Sequence, residues 1–399
     1  MNFEMVGKLS ISKETDKFNP YSENHYDSGW VKRRLLFNVT SGDNRHMLNV
    51  DDGCWEDGHG DVFTFSKATV DESGEKKKGE LLKIPFKERL TSPKIAEVAE
   101  FKKYIFDLEK PGRRFKLEKA AERLHEGKNL TDEELKEIGL ENESDVTEAL
   151  EKSNKKRHEF ITKWDFAEFI KKVIDSEKYK DSLFFIRGNG EYSYNTEKET
   201  MYESLVPTRI YLAADDAEES ATATLTMLFG ENAIDDMSLE EKGKYYVSGY
   251  MMEYESSMKK TIPVPVVVTI PNVSDDATEK EKKKLEAIKK KFYVDGEEFK
   301  EYGIVVNMLN GAQKVEITED MLTEEQKDDL DCGLITMDDI RAELGGSVYG
   351  DTVKEWQFVK PAKGFTSGSK ETAYTSEDMI IKIETEEVED LFQDEDDDL

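Results

Sequence analysis

Of 399 residues, 37% are hydrophobic, 36% charged and 10% aromatic, a balance that excludes a wholly disordered chain and leaves room for two or three cores of ordinary size. A net charge of −31 makes the chain as a whole repel nucleic acid and anionic membranes. Two distant cysteines, Cys54 and Cys332, exclude a disulfide-rich secreted scaffold and fit a reducing cytoplasm, in keeping with a first segment (MNFEMVGKLS) that lacks the features of a signal peptide.

The charge is unevenly spread. Residues 1–117 hold 21 basic and 20 acidic residues, a net of +1, whereas the rest nets −32. The segment ETEEVEDLFQDEDDDL at 384–399 contains ten acids and no base. A near-neutral head therefore precedes an acidic body and an intensely acidic end, which self-repulsion should keep extended and disordered.

In chain order, KLSIS at 8–12 reads as a strand, followed by a polar loop at 19–29 with Asn19-Pro20 and Ser28-Gly29 as turn signals. WVKRRLLFNV (30–39) is the clearest strand of the head. Ser41-Gly42-Asp43 turns it into RHMLNV (45–50), and VFTFSKATV (62–70) and LLKIPF (81–86) follow. Five short strands with polar turns predict a small barrel or sandwich over 1–92. Beyond Pro93, Ile95, Val98, Ala99, Phe101, Ile105 and Phe106 recur at helical spacings, and a helical section is expected over 93–180. Within it, Thr131 with Glu134 predicts a capping box and Gly139 a stop. WDFAEFIKKVI (164–174) has one apolar face.

Strand character resumes at 183–195, 208–213, 221–230, 244–254 and 264–270, a second five-strand set in a module over 181–274. The apolar IPVPVVVTIP at 262–271 holds three prolines and is too short to cross a bilayer. A charged helix over 275–291 opens a mixed α/β module expected to reach 360, and 361–399 reads as linker and acidic tail. The fold class predicted is α+β. No tandem repeat is present, only the same five-strand arrangement appearing twice.

Side chains alternate between the faces of a strand, so Val31, Leu35, Phe37 and Val39 share one face with Arg33, and Trp30, Lys32 and Arg34 share the other. An indole beside two cations suits an unpaired nucleic-acid strand: bases stack on the ring and the cations neutralise phosphates. Arg45, Trp55, Phe65 and Lys67 extend that platform, and Arg209 and Tyr211 repeat it more faintly in the second set. A solvated strand with Trp30 capping a core is the plainer reading. Tyr192, Tyr194, Tyr246, Tyr250 and Tyr254 fit ordinary half-buried tyrosines. The terminal block suits a competitor for a basic groove or a ligand for basic partner proteins, with a mere solubilising tail as the alternative.

Taken together, the five-strand modules, the Trp/Lys/Arg face and the acidic end resemble single-stranded DNA-binding proteins of the OB-fold type, especially bacteriophage ones. The resemblance covers 1–90 and 183–270 as OB-like barrels and 384–399 as the tail. It implies sequence-nonspecific binding of single-stranded DNA in phage replication or recombination, in the host cytoplasm, without catalysis or cofactor. It also implies that Asp394, Glu395, Asp396, Asp397, Asp398 and Leu399 recruit replication or recombination proteins and screen the DNA groove. The chain departs from bacterial members in ending on Leu399 rather than Pro-Phe.

Other chemistries are weakly signalled. His46, Cys54 and His59 match no standard zinc spacing, and Arg187-Gly188-Asn189-Gly190 lacks the phosphate-loop pattern. DDAEES (215–220) lacks the calcium-loop order, and the lysine-rich helix at 279–291 suits a solvated face. An acidic scaffold for basic partners and a metal-dependent nuclease remain the alternatives.

Overall fold

The alternation read from the first residues becomes strand wherever one face can be buried. A computed structural model describes residues 1–70, 74–274, 276–296, 298–315, 322–337, 339–340 and 348–381. The acidic tail, with Asp394 to Leu399, lies outside the described residues. The chain is mixed α+β and mostly sheet, with seven α-helices among the described residues. None of those helices is long and apolar enough to cross a membrane.

The head forms β1 (Asn2–Ser10), β2 (Tyr21–His25), β3 (Trp30–Ser41) and β4 (Asn44–Trp55). After it come the short strands β5 (Asp61–Phe65), β6 (Thr69–Val70), β7 (Lys76–Lys77) and β8 (Leu81–Pro85). The middle holds β9 (Tyr104–Asp107), α1 (Arg113–His125), α2 (Asp132–Glu137), α3 (Val146–Asn154), β10 (Arg157–Phe160) and α4 (Lys163–Ile174). Then come β11 (Leu183–Asn195), β12 (Thr200–Leu212), β13 (Ser220–Phe229), β14 (Ile234–Asp235), α5 (Ser238–Lys242), β15 (Lys244–Glu255) and β16 (Lys260–Pro271). The last elements are α6 (Glu279–Lys289), β17 (Lys300–Val315), α7 (Glu324–Asp331), β18 (Val348–Pro361) and β19 (Lys370–Glu371).

Strand pairing closes on itself twice. One circuit runs β1–β3–β4–β12–β11 and back to β1; the other runs β13–β15–β16–β18–β17 and back to β13. Each has a narrow parallel seam, Leu48 against Leu205 in the first and Val268–Thr269 against Trp356–Gln357 in the second. The circuits are joined by main-chain pairing of β1 with β13, from Asn2 opposite Thr224 to Val6 opposite Ser220. One apolar cluster fills both, from Phe3, Leu35 and Phe37 to Tyr302, Met308 and Phe358. Burying each such ring removes about 1.5–3 kcal/mol of apolar hydration cost.

Several expectations change. Residues 62–70 and 81–86 do not enter a head barrel: among the described strands β5 pairs with β8 alone, and the vacant places go to β11 and β12, expected in the second module. Within 292–360, which the sequence leaves open as a separate module or an annex, β17 and β18 complete the second circuit. The helix expected from Pro93 is a run of 3-10 turns followed by β9, where Ile105 and Phe106 are both fully buried. The capping box of Thr131 and Glu134 is present, and Gly139 takes φ +71° after α2. The helix over 164–174 forms α4, whose Trp164, Phe166, Ala167, Ile170 and Val173 are buried. The helices α1 to α3 close a small core of their own around Leu117, Leu135 and Val146.

Candidate nucleic-acid interface

The β3–β4 hairpin sets the first wall of the site. Its inward side chains Val31, Leu35, Phe37 and Val39 are buried, and Trp30, Lys32 and Arg34 stand on the outer face, as the alternation predicts. Across the hairpin, Trp30 faces Trp55, Lys32 faces Gly53 and Arg34 faces Asp51. Trp30 and Trp55 meet edge to face at 5.3 Å, and Trp55 stacks on His59 at 4.7 Å. The Trp30 indole lies flat over Gly53; a Cβ there would stand 2.2 Å from the ring. Lys32 pairs with Asp51 at 2.8 Å, which occupies the only carboxylate directly opposite Arg34. Arg34 is exposed and has no ion-pair partner among the described residues.

Arg33 has the opposite fate, although it is the next residue in the chain. Buried among apolar neighbours, its guanidinium donates to Glu23 Oε1 at 2.9 Å and, from Nη1, to the Trp164 carbonyl at 3.0 Å and Glu168 Oε2 at 3.2 Å. It lies 3.9 Å over the Trp164 ring, so it clamps α4 to the first circuit.

Arg34 opens onto a cleft of about 480 Å³ between the two circuits. One wall is β3 and β4, with Arg34, Met47 and Asn49; the start of β12 adds Tyr202 and Glu203. The other wall comes from β17 and β18, with Met308, Asn310, Lys354 and Trp356. Lys354 is exposed and makes no ion pair among the described residues, Trp356 is half-buried, and Tyr202 is exposed. Glu203 is the single carboxylate in the lining among the described residues and accepts from the Tyr192 hydroxyl at 3.3 Å. Asn49 Oδ1 is buried in the floor without a hydrogen-bond partner among the described residues. The cleft thus presents two aromatic rings and two cations without an ion pair among the described residues, Lys354 being electrostatically coupled to Glu203.

The walls are held at fixed spacing. Asn310 N–H donates to Asn44 Oδ1 at 2.9 Å, and its amide nitrogen donates to the Arg45 carbonyl at 2.7 Å. Gly311 lets the chains touch: a Cβ there would fall 2.0 Å from the Asp43 carbonyl oxygen. His46 completes the junction by donating from Nε2–H to the Met308 carbonyl at 3.0 Å. Burial, reinforced by nearby Lys354, holds this imidazole below its ordinary value of 6.5 despite the carbonyl bond. The unfolded chain therefore takes up a proton that the folded junction resists. His46 contributes stability above pH 6.5 that is lost as pH falls through its depressed folded value. Thermal melts at about pH 7.5 and 5.5 should show a fall in wild type that His46→Gln, which keeps a donor but cannot titrate, reduces; equal falls would remove His46 from this role.

The remaining predicted residues lie elsewhere. Arg45 is exposed at the cleft's end and donates to Ser12 Oγ at 3.3 Å. Phe65 and Lys67 are exposed on and beside the β5–β8 hairpin, outside both circuits. Arg209 and Tyr211 belong to the first circuit, on the far half of β12. There Tyr211 stacks with Phe185 at 6.3 Å and lines a separate cleft with Phe115 and Arg157. Tyr192 is buried, while Tyr246, Tyr250 and the exposed Tyr254 mark the outer face of β15. Tyr202, Lys354 and Trp356 escaped the sequence reading, although Lys354 and Trp356 repeat the two-residue spacing of Lys32 and Trp30.

The metal-ligand types are dispersed. His46 sits at the junction, Cys54 is buried with Val31 and Trp164, and His59 is exposed on Trp55. Among the described residues, no group of three or more His, Cys, Asp or Glu is placed to hold a metal ion.

No known family description matches the chain, nor does any curated protein sequence. Among solved structures, a deletion mutant of the single-stranded DNA binding protein from Thermus aquaticus aligns over 81% of this chain and 97% of its own, at 9% identity and a TM-score of 0.23.

Proposed function

We propose that the chain is a non-enzymatic protein that binds single-stranded DNA without sequence preference, and that each strand circuit is an OB-type barrel. The observation that carries the reading is strand order. In both circuits the first, second, third, fifth and fourth strands neighbour one another in that sequence before closing, and the third and fifth are parallel. A helix lies between the third and fourth strands in each, α4 in one and α6 in the other. Barrels of this type take oligonucleotides on the face of their second and third strands and the adjoining loops. In the first circuit those strands are β3 and β4, whose outer face carries Trp30, Lys32, Arg34 and Arg45.

On this reading the inter-circuit cleft receives the strand, with bases stacked on Tyr202 and Trp356 and phosphates against Arg34 and Lys354. Stacking tolerates any base because each has a π-face, and it contributes about 1–3 kcal/mol per base. The wider role we assign is replication or recombination of phage DNA in a host cytoplasm, with the tail from Asp394 to Leu399 recruiting partners and screening the cleft.

Of the four tryptophans, Trp30, Trp55 and Trp356 are partly exposed and Trp164 is buried, so intrinsic fluorescence reads the site. Oligo-dT should quench it, an equal length of duplex should not, and log affinity should fall with log salt at about −0.7 per phosphate contacted. Removal of residues 384–399 should tighten binding; unchanged affinity would end the screening role. Absence of binding even at low salt would overturn the proposal in favour of an acidic scaffold, and magnesium-dependent loss of the oligonucleotide in favour of a nuclease.

A further inference from the structure

A second aromatic surface lies outside the cleft. The β5–β8 hairpin has one covered face, Thr64 and Ile84 being buried, and one bare face on which Phe63 and Phe65 stand two residues apart. Leu81 lies directly opposite Phe65, and Lys83 opposite Phe63. The following chain docks alongside through backbone bonds from Lys67 N–H to the Glu97 carbonyl and from Ala99 N–H to the Phe65 carbonyl, both 2.9 Å. That docking places Phe101, 73% exposed, next to the hairpin, with Lys102 Nζ 5.6 Å from the ring centres of both Phe65 and Phe101. Phe63 is 63% exposed. Large aromatic side chains left bare together are uncommon unless something covers them.

Charge selects the occupant. Residues 61–103 carry ten basic and eight acidic residues, a net of +2, in a chain whose remainder nets −33. A cation between two bare rings, on a stretch of net positive charge, suits an anionic ligand with flat apolar faces. The hairpin follows β4 directly, and Gly60 at its start lies against Trp55.

We infer that Phe63, Phe65 and Phe101, with Lys102, form a second subsite for unpaired nucleic acid, engaged only by strands long enough to pass beyond the cleft; Lys83 beside Phe63 is held by Asp61 at 2.9 Å. The inference rests on the proposed single-stranded DNA binding and adds to it a length threshold. Bases stack on the bare rings, and Lys102 meets the phosphate between them.

The test compares oligo-dT of about 8 and about 30 nucleotides, within and well above the site size of one barrel, on the full chain and on the Phe63→Ala/Phe101→Ala variant. All the altered rings are exposed, so folding should be unaffected, and an unchanged thermal melt checks this. Affinity for the long strand should fall at least about tenfold, with the short strand unchanged; Lys102→Glu should reproduce the pattern. Wild-type binding to both lengths with no loss in either variant would overturn the subsite while leaving the cleft reading intact, and is the result expected if the patch serves a protein partner. Equal losses on both lengths would also overturn the length threshold. Failure of wild type to bind either strand would remove both readings together.

Discussion

Reversing the two cations of the cleft, Arg34→Glu with Lys354→Glu, is expected to weaken oligo-dT binding about a hundredfold at about 0.1 M salt, equivalent to about 2.7 kcal/mol. Each cation lost from a phosphate forfeits the release of roughly 0.7 counterion, a factor of about five at that salt concentration. Two losses give about 25-fold, and the introduced carboxylates add like-charge repulsion on both walls. The log–log salt slope should become shallower by about 1.4. Arg34 and Lys354 are exposed and hold no ion pair among the described residues, so the fold should tolerate the change. Neutral Gln at both positions should give the smaller loss. A double reversal that leaves affinity and slope unaltered would place the nucleic acid elsewhere, whatever the strand order implies.

Why only one wall of this cleft was legible in the sequence follows from what alternation encodes. Period two tells which side chains of β3 face inward, and it placed Arg33 and Arg34 on opposite faces before any partner was known. It does not tell which strand lies alongside. β4 meets β12 across some 150 residues of chain, and the opposite wall comes from β17 and β18, so closure depends on non-local pairing that leaves no local pattern. The hairpin of β5 and β8 carries the same alternation as a circuit strand, yet it covers Val98 and Ile161 with its apolar face and leaves its phenylalanines bare.

The misread helix after Pro93 has a related cause. Ile105 and Phe106 are adjacent and both fully buried, because β9 sits between β10 and β12 and Phe106 packs against Phe169 of α4. A strand covered on both faces loses its period of two, and its apolar pairs then match helical spacing as well as any other. The two circuits, by contrast, were foreshadowed as a repeated five-strand set. Their membership differs from that expectation, because β11 and β12 pair with the head strands.

The adjacent arginines separate stability from binding. Arg33→Ala should cost about 3 kcal/mol, since it removes the charge-assisted bond to the Trp164 carbonyl, about 1.5–3 kcal/mol, leaving that carbonyl only its helical partner, and abolishes the stacking of guanidinium on indole, about 0.5–2 kcal/mol. The ion pairs to Glu23 and Glu168 add little because both carboxylates reach water, with side-chain exposures of 37% and 42%. Arg33→Lys should recover only part of the loss, because an ammonium cannot bond Glu23, Glu168 and the carbonyl together or lie flat on the ring. Arg34→Ala, on the outer face of the same strand, should change stability by less than about 0.5 kcal/mol. Urea unfolding followed by tryptophan fluorescence reads both, with Trp164 reporting on the clamp itself. The paired expectation is a lowered midpoint with retained oligo-dT affinity for Arg33→Ala and the reverse for Arg34→Ala. Equal midpoints for the two variants would mean that α4 is held to the first circuit by apolar packing alone.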